Sequence, residues 1–93
     1  MIESFKCKET EKLYHRQFTK RLPQSIHKVA MRKLWMLDAA VQLSELKVPP
    51  NNQLEALKGD RKGQHSIRIN KQWRICFEGH AGHARNVEIV DYH

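Results

Sequence analysis

A chain of 93 residues with a formal net charge of +7 is expected to form one domain, residues 1–93, with a small core and modest stability. Its two cysteines, Cys7 and Cys76, form no CxxC pair and no disulfide framework, which fits a reduced, cytoplasmic protein. No stretch has the length of a membrane span or the pattern of a secretory leader, and no repeat is present.

The charge favours a polyanionic partner, although solubility alone would also explain it. Ten basic residues face five acidic ones over positions 1–50, and seven face five over 51–93. Any basic patch must therefore be assembled by folding.

Met1 to Lys6 reads as a short opening strand. Lys8 to Phe18 is rich in helix formers, with Leu13, Tyr14, Gln17 and Phe18 at three-and-four spacing. Thr19 to Pro23 breaks it. The clearest predicted helix runs from Gln24 to Leu46. Ile26, Ala30, Leu34, Leu37 and Val41 form its stripe, widened by Val29, Ala40 and Leu43. Lys28, Arg32 and Lys33 are placed towards the other side, as a solvated face or an RNA contact. Pro49-Pro50-Asn51-Asn52 ends the helix in a loop.

Leu54 to Leu57 leads into a loop punctuated by Gly59 and Gly63. Two alternating strands follow. His65, Ile67 and Ile69 share one parity, and Gln64, Ser66, Arg68 and Asn70 the other. After a turn near Asn70-Lys71, Trp73, Ile75 and Phe77 alternate with Gln72, Arg74 and Cys76. This pattern predicts a half-buried sheet with Arg68 and Arg74 on its open side, a platform for phosphate. Gly79 and Gly82 mark another loop, and Arg85 to Tyr92 reads as the last strand. Helices grouped early and strands grouped late predict an α+β fold, with helices on one face of a mainly antiparallel sheet.

Lys58-Gly59-Asp60-Arg61-x-Gly63 is the first of three spaced elements. Five residues then separate Ser66-Ile67 from Trp73-Arg74-Ile75-x-Phe77, and Asp91-Tyr92-His93 closes the sequence. Together these resemble the HigB branch of the RelE-type toxins, small ribosome-dependent messenger-RNA endonucleases paired with antitoxins. The resemblance implies a compact RelE-like β-α-α-β-β-β domain. It also implies a helix-turn-helix, HigA-like antitoxin as partner, the 70S ribosome and messenger RNA as targets, operator DNA reached only through the antitoxin, and no cofactor, metal or membrane. In this pattern Lys58, Arg74, Asp91 and His93 match catalytic positions.

RNA cleavage without a metal needs a base for the 2′-hydroxyl, an acid for the departing 5′-oxygen and cations for the transition-state charge. His93 is the leading acid–base candidate, since an imidazole titrates near neutrality; by itself a final histidine would read as a frayed end. Asp91 could orient it or share its proton. Tyr92 could stack on a base of the message, or pack at the sheet edge. Lys58, Arg61 and Arg74 are cationic candidates, and Arg68 an additional phosphate contact or a solvated residue. Arg61 could equally form a surface ion pair with Asp60. Two positions depart from the family pattern: Glu55 stands where some members carry a histidine, and Asn70 where they can carry an arginine. Glu55 is either a substitute base or a polar residue of no catalytic role.

Strand parity raises a difficulty: if Val87 and Ile89 face the helices, an ideal strand would bury Asp91 and His93 with them. Cys76, Glu78, His80 and His83 have some ligand character but fit no zinc spacing. His15, His27 and His65 read as helix-surface or sheet residues. Two rivals to the endonuclease follow from the same residues: a basic sheet that blocks the ribosome without cutting, and a weakened toxin retained as an antitoxin partner.

Overall fold

A computed structural model describes residues 1–91. Two helices, α1 (Lys8–Tyr14) and α2 (Gln24–Ala39), pack on a four-stranded antiparallel sheet. Its strands are β1 (Glu55–Ala56), β2 (Gln64–Arg68), β3 (Trp73–His80) and β4 (His83–Asp91), in the order β1-β2-β3-β4. The predicted opening strand exists in broken form. Ile2 and Phe5 make isolated parallel bridges to Ala84 and Val87 of β4. Four backbone hydrogen bonds tie this segment down, including Glu3 N–H to Ala84 O at 2.7 Å and Val87 N–H to Ser4 O at 3.1 Å.

The core forms where the helical stripe meets the apolar parity of the sheet. Ile26, Ala30, Leu34 and Leu37 of α2 bury against Ile67, Ile75, Phe77, Val87 and Ile89. Burial of this apolar surface is the main force holding helices to sheet. At the α1 end, the Ile89 N–H donates to Thr10 Oγ1 at 3.0 Å, joining helix and strand through a fully buried hydroxyl.

Both helices are shorter than predicted. α1 stops at Tyr14, and Arg16 takes a left-handed conformation (φ 63°) with its guanidinium 4.7 Å from the centroid of the Trp35 ring. α2 ends at Ala39, with Ala40 extended, rather than running to Leu46. Competing local chemistry ends it. The Glu45 carboxylate accepts from the N–H groups of Val41 (2.6 Å) and Gln42 (2.9 Å), closing a capping box that opens a new 3-10 turn over Leu43–Lys47. These backbone donors hold the Glu45 carboxyl below the usual carboxylate range. Val41 and Leu43, helical by spacing, are therefore exposed, while Leu46 returns to the core.

Lys33 also differs from its predicted place. Its spacing from Ile26, Ala30 and Leu37 puts it on the buried stripe, and it is only 5% exposed. Its Nζ donates to Asn52 Oδ1 at 2.9 Å. Asn52 is itself fully buried, and its Nδ2 donates to Leu46 O at 3.1 Å. This amide pins the irregular 43–53 segment to α2. Asn52→Ala should therefore lower stability by about 2–3 kcal/mol, because it strands a buried ammonium and a carbonyl. Urea denaturation measures this; a loss under about 0.5 kcal/mol would mean that water replaces the amide at no cost.

Arg85 and Asn86 sit between two core residues, Ala84 and Val87. The β3–β4 register jumps from Cys76↔Glu88 to Glu78↔Arg85, so two residues of β4 face one of β3. Asn86 takes the left-handed turn of this bulge (φ 52°), a conformation asparagine tolerates. Its N–H donates to Ser4 Oγ at 2.9 Å and its Nδ2 to Glu78 Oε2 at 2.8 Å.

Candidate active site

The predicted hairpin turn is built by Asn70. Its Oδ1 accepts from the N–H groups of both Gln72 and Trp73, each at 2.8 Å. The residue that departs from the family's arginine thus closes the β2–β3 connection. The turn aligns Arg68 directly opposite Arg74 and Ser66 opposite Cys76 on the polar parity.

That face is not the open platform predicted from alternation. Ser66, Arg74 and Cys76 are buried, and the chain at Gln53 closes over the Arg74 guanidinium. Arg74 is only 6% exposed. Its Nε donates to Ser66 Oγ at 2.7 Å and its Nη2 to Gln53 O at 2.5 Å. Gln53 can aim its carbonyl there because it takes a left-handed conformation (φ 44°). Glu55 Oε1 lies 3.9 Å from Arg74 Nη1, on an exposed carboxylate. Ser66 and Gln53 were missed from the sequence. Ser66 carried a usable signal, its shared parity with Arg74; a backbone carbonyl carries none.

Gln53, Glu55, Arg68, Asn70, Lys71 and Arg74 line one open pocket of about 270 Å³. Among the described residues, three cations and one carboxylate line it, which makes it an electropositive basin. Like charges directly opposite on a sheet repel, so the Arg68–Arg74 pair gains from an anion between them. A guanidinium fixed before the substrate arrives can stabilise a phosphorane-like charge with little reorganisation.

Lys58, Arg61 and Asp91 are not among the residues that line this basin. Lys58 is exposed and precedes the 3-10 turn Gly59–Arg61. Arg61 pairs with Glu88 at 3.2 Å and donates to Gln64 Oε1 at 3.0 Å, rather than pairing with Asp60. Asp91 is exposed at the end of β4, opposite Trp73, and its Oδ2 accepts from Gln72 Nε2 at 3.0 Å. The parity difficulty is thereby resolved for Asp91. Val87 and Ile89 do face the helices, and the strand carries Asp91 beyond the covered part of the core. Tyr92 and His93 lie outside the described residues.

His27 is buried, its Nε2 2.9 Å from Leu22 O, rather than on the helix surface. Cys76 is fully buried, and burial pushes its thiol pKa up, which suppresses the reactive thiolate. It shares the polar parity with Ser66 and Glu88, whereas His80 and His83 face a pocket at the β3–β4 tip. Among the described residues, no group of three or more His, Cys, Asp or Glu side chains is placed to hold a metal ion. No described helix is long and apolar enough to cross a membrane.

An α+β domain whose polar sheet face holds a fixed arginine in an electropositive basin has close counterparts. Residues 3–93 match the family described as RelE-like toxin of type II toxin-antitoxin system HigB. The chain is 45% identical over 90 residues to Toxin HigB-1 of Vibrio cholerae serotype O1, covering 96% of this chain and 95% of that protein. It is 37% identical over 97 residues to Endoribonuclease HigB of Proteus vulgaris, covering both chains in full. Among solved structures it resembles the YoeB-YefM complex from Staphylococcus aureus (TM-score 0.61, 17% identity, 100% and 98% of the two chains). It also resembles YafQ from E. coli (TM-score 0.57, 13% identity, 98% and 93%). The chain belongs to the HigB family of RelE-like toxins of type II toxin-antitoxin systems.

Proposed function

We propose that this protein is an endoribonuclease toxin that cuts messenger RNA on the translating ribosome, in the cytoplasm, and is held in check by a HigA-like helix-turn-helix antitoxin. The observation that carries the reading is the Arg74 guanidinium, fixed by Ser66 and Gln53 in a basin shared with Arg68 and Glu55. The curated relative named as an endoribonuclease, matched over its full length, supports it.

In the proposed reaction the 2′-oxygen attacks the adjacent phosphorus and the bond to the 5′-oxygen breaks. The products are a 2′,3′-cyclic phosphate and a free 5′-hydroxyl. DNA, lacking the 2′-hydroxyl, cannot react this way. Glu55 is the base that takes the 2′-hydroxyl proton, since its carboxylate lies beside Arg74. His93 is the acid that protonates the 5′-oxygen, and Asp91 orients it. Arg74 and Arg68 neutralise the phosphorane charge, with Lys58 and Arg61 holding flanking phosphates and Tyr92 stacking on a base.

So sparse an acid–base set needs its substrate placed by a larger partner, and orientation is a large part of catalysis. Purified protein should cut message programmed into a ribosome, and leave the same RNA nearly intact when free. Mapping of new 5′ ends in both reactions checks this. Comparable cutting of free RNA would remove the ribosome from the proposal. No new ends in either reaction, with translation still blocked, would favour a non-cleaving inhibitor.

A further inference from the structure

The buried Lys33 has no carboxylate partner among the described residues. Its recorded hydrogen bond goes to the neutral Asn52 amide. Burial, and then the neighbouring Arg32, Arg68 and Arg74 charges, hold its pKa below the usual lysine range. A cation kept in such a place costs stability unless an anion joins it. Beside it lies an open pocket of about 470 Å³, lined by Val29, Arg32, Lys33, Asn51, Arg68 and Asn70 among others. Among the described residues, no acidic side chain lines it. Arg68 and Asn70 line both this pocket and the Arg74 basin, so the two pockets adjoin at these residues beside the β2–β3 turn.

We infer that the pocket formed by Lys33, Arg32 and Arg68 is a second phosphate site, which holds a backbone phosphodiester of the RNA strand next to the one in the Arg74 basin. The inference rests on RNA as the ligand of that basin. Lys33 supplies a compact charge at the pocket wall, Arg32 a second from α2, and Arg68 a shared contact at the junction. The apolar side chains of Val29 and Met36 give one wall a low-dielectric surface, which strengthens a phosphate contact. An acidic segment of a protein partner is the competing occupant. The shared Arg68 and Asn70 favour RNA, because they make the pocket an extension of the basin.

The test uses a pentanucleotide RNA methylated at every 2′-oxygen, which binds without reacting. Its affinity is measured over a salt series for the unaltered chain, Lys33→Met, Arg32→Gln and Arg74→Ala. Lys33→Met keeps an unbranched side chain but ends one atom short, without the ammonium, and Arg32→Gln serves if Lys33→Met fails to fold by circular dichroism. Loss of one phosphate contact should weaken binding about tenfold at low salt. It should also reduce the slope of log K against log salt by about 0.7. A purely structural role for Lys33 would leave that slope unchanged. Replacing one internal phosphate by a neutral methylphosphonate should abolish the difference between Lys33→Met and the unaltered chain at one position only.

Unchanged affinity and slope in both Lys33→Met and Arg32→Gln would overturn the site. So would loss of antitoxin binding with RNA binding intact, which would assign the pocket to an acidic protein. If only Arg74→Ala lowers the slope, RNA binding at the basin stands and the second site falls. If the unaltered chain binds no oligonucleotide, the second site falls, while cleavage of message programmed into a ribosome still decides the proposed function.

Discussion

Arg74→Ala should slow single-turnover cleavage on the ribosome by about 100- to 1,000-fold, the cost of losing one preorganised donor to a developing charge, ~3–4 kcal/mol. Ribosome affinity should fall far less. The guanidinium is buried and held from two sides, by Ser66 Oγ and Gln53 O, so it arrives in the transition state already oriented. Removing it also strands those two acceptors, and folding must be checked separately. Arg74→Lys serves for that purpose: it keeps the charge but loses the planar fork, and should recover only a small part of the rate. Lys71→Ala, at an exposed position on the basin rim, should cost no more than a few-fold. Equal loss in the Lys71 and Arg74 variants would reduce Arg74 to general electrostatics, and loss confined to ribosome binding would remove it from the chemistry.

His93→Gln should lower the cleavage rate by a comparable or greater factor, about 10²–10⁴, the usual contribution of a positioned acid–base group. Glutamine keeps a hydrogen-bonding side chain but cannot deliver a proton to the 5′-oxygen. The discriminating substrate carries a 5′-thio leaving group, which departs without protonation. On it the variant and the unaltered chain should react at similar rates. A variant equally impaired on both substrates would move His93 from acid to binding residue. Near-native cleavage of ordinary message would take the acid role from His93 and leave Asp91, exposed at the end of β4, as the candidate for it.

Local chemistry was the legible part of this chain. The β2–β3 hairpin followed from the alternation of His65, Ile67, Trp73, Ile75 and Phe77 and from Asn70 at the turn, because strand parity and turn residues act over a few positions. Arg74 could be named as a cation of the sheet, but not as a buried one. Its cover comes at Gln53, in an irregular segment held by the Asn52 amide rather than by any periodic pattern. The same limit explains α2. Val41 and Leu43 keep a helical period, yet the Glu45 carboxylate captures the backbone first. Lys33 was misplaced because a charged residue on an apolar stripe looks like part of the polar face unless its buried partner is known. The Glu55–Arg74 approach joins β1 to β3, which are not neighbours in the sheet, so no local signal announces it.

The bulge at Asn86 bears on how the chain can change length over generations. Without its extra residue β4 would pair as an unbroken ladder, with Val87 opposite Phe77 and both still facing the helices. Loss of Arg85 or Asn86 therefore leaves the core and the Trp73↔Asp91 register in place. What it removes at Asn86 is a tie, since this residue joins Ser4 of the opening segment to Glu78 of β3. The Gly59–Gly63 loop carries a different constraint: space around both glycines is open, but each holds a positive φ (65° and 93°) that a side chain would strain. Single-residue deletions in descendants of this sequence should therefore be borne at 85–86, at a cost in anchoring the opening segment, and be purged from 87–91, where each would shift strand parity and turn core residues such as Ile89 out to solvent.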